Sequence, residues 1–141
     1  MHFNPIYSLI AAVVILFIPT VGEIWNDRNG EVKNEKLRDW LIRSILTVSC
    51  AIFSEFIRRG FAPTVLQYFY AIIMIVSVHF LIFDYAIVII LKKNGVIRSD
   101  ANPFTYLGKT ANYPKWWIKA EPMGRFAIRI IVFAIALVLY F

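Results

Sequence analysis

The sequence predicts an all-α integral membrane protein with four transmembrane helices and an interfacial loop on the inner membrane face. Of its 141 residues, 60% are hydrophobic and only 17% are charged, whereas a soluble domain is near half apolar and a quarter charged. The apolar residues form long blocks, and most Lys and Arg residues lie between them. Phe, Tyr and Trp make up 16% of the chain. Long apolar blocks with many aromatic residues are typical of proteins that cross a bilayer repeatedly.

The first two predicted spans cover residues 6–25 and 40–57. Pro19 is expected to bend the first span near its end. The second span is the less apolar one, because Arg43 and Glu55 bracket the short segment "SILTVSCAIFS". An amphipathic helix lying in the membrane interface is the alternative for this segment. Small residues at helical spacing predict a face that allows close helix packing, namely Ser44, Thr47, Ala51 and Ser54.

The third and fourth predicted spans cover residues 65–91 and 125–141. As a helix, the third span would be about 40 Å long, which exceeds a hydrocarbon core of roughly 30 Å and predicts tilt or protrusion. Because a loop along one membrane face joins them, these two spans are expected to be antiparallel neighbours. The connecting segment 92–124 contains Pro103, Pro114 and Pro122. It is predicted to lie along the inner face, so residues 1–141 form one transmembrane domain.

The distribution of basic residues favours four spans over three. With four spans, eleven Lys and Arg residues of the first and third loops share one side, and only Arg58 and Arg59 lie on the other. With three spans, seven basic residues would fall on each side. Because basic loops concentrate in the cytoplasm, both termini are predicted to lie on the opposite side. The predicted partners of the basic loops are anionic lipid headgroups of the bilayer, and nucleic acid is not predicted.

Aromatic and basic residues near the span ends are predicted to anchor the protein at the membrane interfaces. Trp is enriched at headgroup depth, and a neighbouring Lys side chain extends towards the headgroups. The predicted anchors are Trp25, Trp40, Trp116, Trp117, Lys115 and Lys119.

One histidine and one carboxylate, His79 and Asp84, lie inside the third predicted span. Five residues apart on a helix, they point about 140° apart, so they do not line one narrow stripe. Arg129 lies one turn into the fourth span, and an antiparallel packing would bring it within reach of Asp84. A lone charge in mid-span costs a few kcal/mol, so Asp84 is predicted to pair with Arg129, with Arg43 as the second candidate. A proton or ion path through His79 and Asp84 is the alternative.

Motifs of enzymes and cofactor sites do not fit the sequence. The tripeptide "GKT" at residues 108–110 is not a phosphate-binding loop, because Pro103 stands where that loop needs glycine. His2, His79 and Cys50 do not have the spacing of metal ligands. We therefore expect no catalytic activity, cofactor or metal site.

Three short motifs carry a resemblance to a group of membrane proteins. The motifs are "WNDRNGE" before the second span, "FLIFDY" in the third and "FTYLGKTA" after it. In this order they resemble small multi-span membrane proteins encoded by phages and prophages of Bacteroidetes-type hosts, over the stretch from Trp25 to Ala111.

The resemblance implies a structural or accessory protein of a bacterial inner membrane, or of the internal membrane of a lipid-containing virion. A homo-oligomer, or contacts with other membrane or capsid proteins, would fit that setting. Two alternatives stay open, which are an oligomeric, holin-like pore and a factor that excludes or defends against other phages at the host envelope.

The four-span topology predicts which loops are shielded from outside the cell. Cysteines introduced at Asn34 and Asn112 should resist an impermeant thiol reagent in intact cells, because both loops would lie in the cytoplasm. The native Cys50 lies inside a predicted span and provides the background signal. Labelling of either introduced cysteine from outside would overturn the topology.

Overall fold

The computed structural model describes residues 5–27, 36–60, 63–105 and 114–141. Within these residues the chain forms helices and no strand, which confirms the all-α prediction. The helices are α1 (Pro5–Asp27), α2 (Lys36–Arg59), α3 (Val65–Lys93), α4 (Lys115–Lys119) and α5 (Pro122–Tyr140).

Two of the described helices, α3 and α5, are long and apolar enough to cross a membrane. Helix α1 contains a shorter apolar stretch, Ile10–Ile24. Helix α2 carries charged residues at both ends and in its body, including Arg43 and Glu55. Length and composition therefore support a membrane location through α3 and α5.

Local sequence signals set the sharp turn from α2 into α3. Gly60 follows the last turn of α2 with φ +81°, a conformation that favours glycine, and its N–H donates to the carbonyl of Phe56 at 2.9 Å. Helix α3 starts after Thr64, whose N–H donates to Gln67 Oε1 at 2.8 Å. These two ends leave a connection of only a few residues, so α2 and α3 pack as neighbours.

Helix α3 is the centre of the bundle. It packs against α1, α2 and α5, and α1 also packs against α2. The predicted contact between the third and fourth spans is thereby confirmed. The fully buried part of the core combines large and small side chains from the four long helices, namely Leu16, Cys50, Ala51, Ala71, Met74, Ile75, Val78, Ala136 and Tyr140.

The small-residue face predicted on α2 is only partly used. Ala51 and Ser54 are buried, whereas Ser44 is exposed. Nearer its start, α2 approaches α1 through a larger side chain, since Leu46 Cδ2 lies 3.7 Å from where a Cβ of Gly22 would be. A methyl group at position 22 would therefore make an ordinary van der Waals contact with Leu46.

Helix α4, between α3 and α5, packs on α3. The indole ring of Trp117 in α4 lies against Phe80, with ring centroids 5.4 Å apart. Phe80 lies about 18 Å along the helix axis from Lys92, at the basic end of α3. Trp117 therefore reaches α3 well away from that end, and the position of the connecting segment along a membrane face stays a prediction.

The packing of α3 and α5 can be tested by crosslinking. The rings of Tyr85 and Phe126 lie 5.9 Å apart, so cysteines at these positions should crosslink with a short bifunctional maleimide in membranes. The control pair places cysteines at Tyr85 and Ile128, which lies on the opposite side of α5. Equal crosslinking of both pairs would contradict this packing.

Candidate functional site

The guanidinium of Arg129 on α5 contacts the carboxylate of Asp84 on α3. Arg129 is 3% exposed and the Asp84 side chain 18% exposed. The two residues lie on adjacent antiparallel helices, each a few turns from the basic end of the bundle. In this position each charge is the counter-ion of the other, and their contact fixes how far α5 is displaced along α3.

Three aromatic rings enclose the Arg129 guanidinium on its remaining sides. Its central carbon lies 5.0 Å from the ring centroids of Phe80 and Tyr85 and 5.5 Å from that of Trp117. Cation–π contacts of this kind contribute roughly 0.5–2 kcal/mol each. The enclosure explains how a guanidinium tolerates nearly complete burial, and why α4 lies against the bundle.

A second ion pair joins α1 to α2 and α3. The carboxylate of Glu23 contacts the guanidinium of Arg43, and its Oε2 lies 3.0 Å from His79 Nδ1. The Glu23 side chain is 8% exposed, whereas Arg43 is 43% exposed. Arg43, the second candidate partner of Asp84 in the sequence analysis, is thus the partner of Glu23, because α2 packs on α1 at this level.

Glu23 is the residue that sequence reasoning missed. It lies near the end of the first predicted span, where the sequence patterns described above predict no partner for it. The signal was present, because Glu23 is the single carboxylate within residues 6–25, and Arg43 is the first basic residue of the next predicted span. Two antiparallel helices joined by one loop bring such residues to the same depth.

His79 lies between the two ion pairs. Its imidazole contacts Glu23, and the charges of Arg43, Asp84 and Arg129 all act on it. We call these five residues, from α1, α2, α3 and α5, the polar centre. The 140° separation of His79 and Asp84 follows from their different partners, since His79 faces α1 and Asp84 faces α5.

The opposite end of the bundle contains a separate charged cluster. Glu55 is fully buried and accepts hydrogen bonds from Arg58 Nη2 at 2.8 Å and Arg59 Nε at 3.0 Å. The Arg58 guanidinium also lies 4.2 Å above the ring of Tyr140, near the end of α5. This cluster satisfies Glu55 within α2 and ties the last turn of α2 to α5.

The predicted interfacial anchors have different environments. Trp116 is 63% exposed, and Lys115 and Lys119 are exposed on either side of it. Trp117 is 2% exposed and faces Phe80 and Arg129. The side chains of Trp25 and Trp40 lie outside the described residues.

The polar centre has the chemistry of a structural or titratable network. Its groups are carboxylates, guanidinium groups and one imidazole, and among the described residues no cluster has the composition of a metal site. Comparison with protein-family models, curated proteins and solved structures finds no match to this chain. The physical arrangement of these residues is therefore the basis for the function proposed below.

The Asp84–Arg129 pair can be tested by removing one charge and then both. Asp84→Ala should destabilise the folded protein by about 3–5 kcal/mol, because it leaves Arg129 buried without its counter-ion. Replacing both residues by Leu should recover much of that loss, since no charge is then left unpaired. Stability is measured by reversible unfolding in detergent.

The matched control is Asp100→Ala. Asp100 pairs with Arg98 at 3.3 Å, but both side chains are mostly exposed, so this change should have little effect. If Asp84→Ala is as stable as the parent, the pair does not stabilise the bundle.

Proposed function

We propose that the chain is a non-enzymatic protein that crosses the membrane four times and has a structural or accessory role there. The observation that carries this proposal is that the buried carboxylates Glu23 and Glu55 and the partly buried Asp84 all contact basic side chains. A network in which charges neutralise one another stabilises a helix bundle.

The paired charges also support α1 and α2 as spans. Helix α2 is not apolar enough to be assigned by composition, and the apolar stretch of α1, Ile10–Ile24, is shorter than a full span. An isolated charge at mid-span costs a few kcal/mol. The contact pairs the negative charge of Glu23 on α1 with the positive charge of Arg43 on α2, so neither charge is isolated. In lipid, the two helices would therefore be stable as a pair next to α3, with the basic loops in the cytoplasm as the positive-inside rule requires.

The exposed surface of the bundle supports the same proposal. Large apolar side chains cover the outward faces of all four long helices, including Val14, Ile52, Val76 and Val138. Apolar patches of this extent are rare on soluble monomers. Lipid chains are the cover that suits them, and the resemblance to phage-encoded membrane proteins implies a bacterial inner membrane or a virion membrane.

A proton path is the second candidate function, and one observation favours it. His79 is hydrogen-bonded to Glu23 near the middle of α3, and imidazole–carboxylate chains are used as proton relays in pumps and transporters. In that case the polar centre would exchange protons with one side of the membrane.

Reconstitution separates the two functions. The purified protein is placed in liposomes with an entrapped pH dye, and proton flux is driven by a potassium diffusion potential. A structural role predicts no flux above that of empty liposomes. It also predicts that Glu23→Leu lowers the yield of monodisperse protein and that Glu23→Leu with Arg43→Leu restores it.

A proton path predicts the opposite pattern. The parent protein would carry flux, His79→Phe would abolish it, and the exposed-site control Lys119→Gln would retain it. Flux with these properties would overturn the structural proposal. An unchanged yield for Glu23→Leu would separately exclude the stabilising role of the α1–α2 pair.

A further inference from the structure

Arg125, in the first turn of α5, is a buried cation without a carboxylate partner among the described residues. It is 5% exposed, and its Nη1 has no hydrogen-bond partner. Its Nη2 reaches only the carbonyl of Phe104, at 3.5 Å, which is the limit of a hydrogen bond. Glu121 precedes it by one turn, but the contact between them is the backbone bond of the helix.

Near Arg125, the buried positive charges outnumber the negative ones. Arg129 lies one turn deeper on the same face of α5, and Asp84 is the carboxylate that neutralises it. Two buried guanidinium groups thus share one negative charge. The Nε and Nη1 atoms of Arg129 also lack hydrogen-bond partners, although aromatic rings face them. An anion bound at Arg125 would complete the balance.

The position of Arg125 indicates which anion this is. Helix α5 begins at Pro122, so Arg125 lies at the level where the chain enters the membrane in the proposed topology. Exposed Lys115, Trp116 and Lys119 lie nearby in sequence on the same membrane side. Met123 is 70% exposed, and the Cα of Gly124 faces open space. Lipid headgroups occupy this depth, and the forked guanidinium matches the oxygens of a phosphate.

We propose that Arg125 binds the phosphate of an anionic phospholipid headgroup on the basic side of the membrane. The proposal rests on the membrane location argued above and adds a lipid site to it. The donors are Arg125 Nη1 and the weakly engaged Nη2. Lys115 and Lys119 raise the local concentration of anionic lipid without forming the site.

The test uses the purified full-length protein in dodecyl maltoside, titrated with dioleoylphosphatidylglycerol. At a lipid concentration about 100-fold above Kd, binding should raise the Tm on the order of 5–10 °C. Dioleoylphosphatidylcholine, which has the same phosphate but no net charge, should give a clearly smaller shift. Native mass spectrometry counts the lipid retained on the protein.

Three variants locate the site. Arg125→Met should fold at least as well as the parent in detergent alone, because it removes an unpaired buried charge. Its affinity for phosphatidylglycerol should fall about tenfold or more. Arg125→Lys keeps the charge without the fork and should bind with intermediate affinity. Lys119→Gln removes one exposed charge from the same face and should lower the affinity much less than Arg125→Met does.

Several outcomes would overturn the proposal. An equal lipid shift in the parent and in Arg125→Met would show that binding is non-specific or lies elsewhere. An equal shift with inorganic phosphate would assign the site to a free anion and not to a lipid. Loss of stability in Glu121→Gln, with no change in lipid binding by Arg125→Lys, would make Glu121 the partner of Arg125. None of these outcomes depends on the proton-flux measurement, so the lipid site and the structural role can fail separately.

Discussion

The ion pair between Asp84 and Arg129 is the interaction on which the rest of the structure depends. Hydrocarbon does not solvate charge, so a charged residue inside a span needs its counter-ion on the same helix or on a neighbour. Glu55 has its partners, Arg58 and Arg59, on its own helix. Asp84 has its partner on α5, and this contact sets the alignment of two helices and places three aromatic rings around the guanidinium. Trp117 supplies one of those rings, so the same site also holds α4 against the bundle.

The second pair, Glu23 with Arg43, has the same effect on α1 and α2. It joins α1 to α2, and the bond from Glu23 to His79 joins α1 to α3. All four long helices are thus connected through one polar centre near the basic end of the bundle. The remaining core is held by apolar packing and small residues, which allow close approach but specify alignment less strongly. In the proposed structural role, the polar centre determines how the helices align, and the apolar surface places the bundle in the membrane.

The sequence predicted the helical class and the neighbouring arrangement of the third and fourth spans from two simple patterns, the apolar blocks and the loop between them. It also led to Arg129 as the first candidate partner of Asp84, because both residues lie at similar depths. It did not identify the partners of Glu23 or the ring neighbours of Trp117, because these environments depend on how helices are rotated about their axes. Hydropathy reports whether a segment is apolar, but it does not report which face of the helix meets a neighbour. A search for counter-ions on adjacent antiparallel segments would have found Glu23 with Arg43.

The central claim is that the carboxylate of Asp84 between α3 and α5 is the ionised partner of Arg129. Infrared difference spectroscopy in lipid bilayers tests this claim directly, by subtracting the spectrum of Asp84→Asn from that of the parent at neutral pH. The ion-pair account predicts that the difference contains the stretching bands of an ionised carboxylate. A band from the carbonyl of a protonated carboxylic acid would contradict it, since Asp84 would then be neutral and Arg129 would lack its counter-ion.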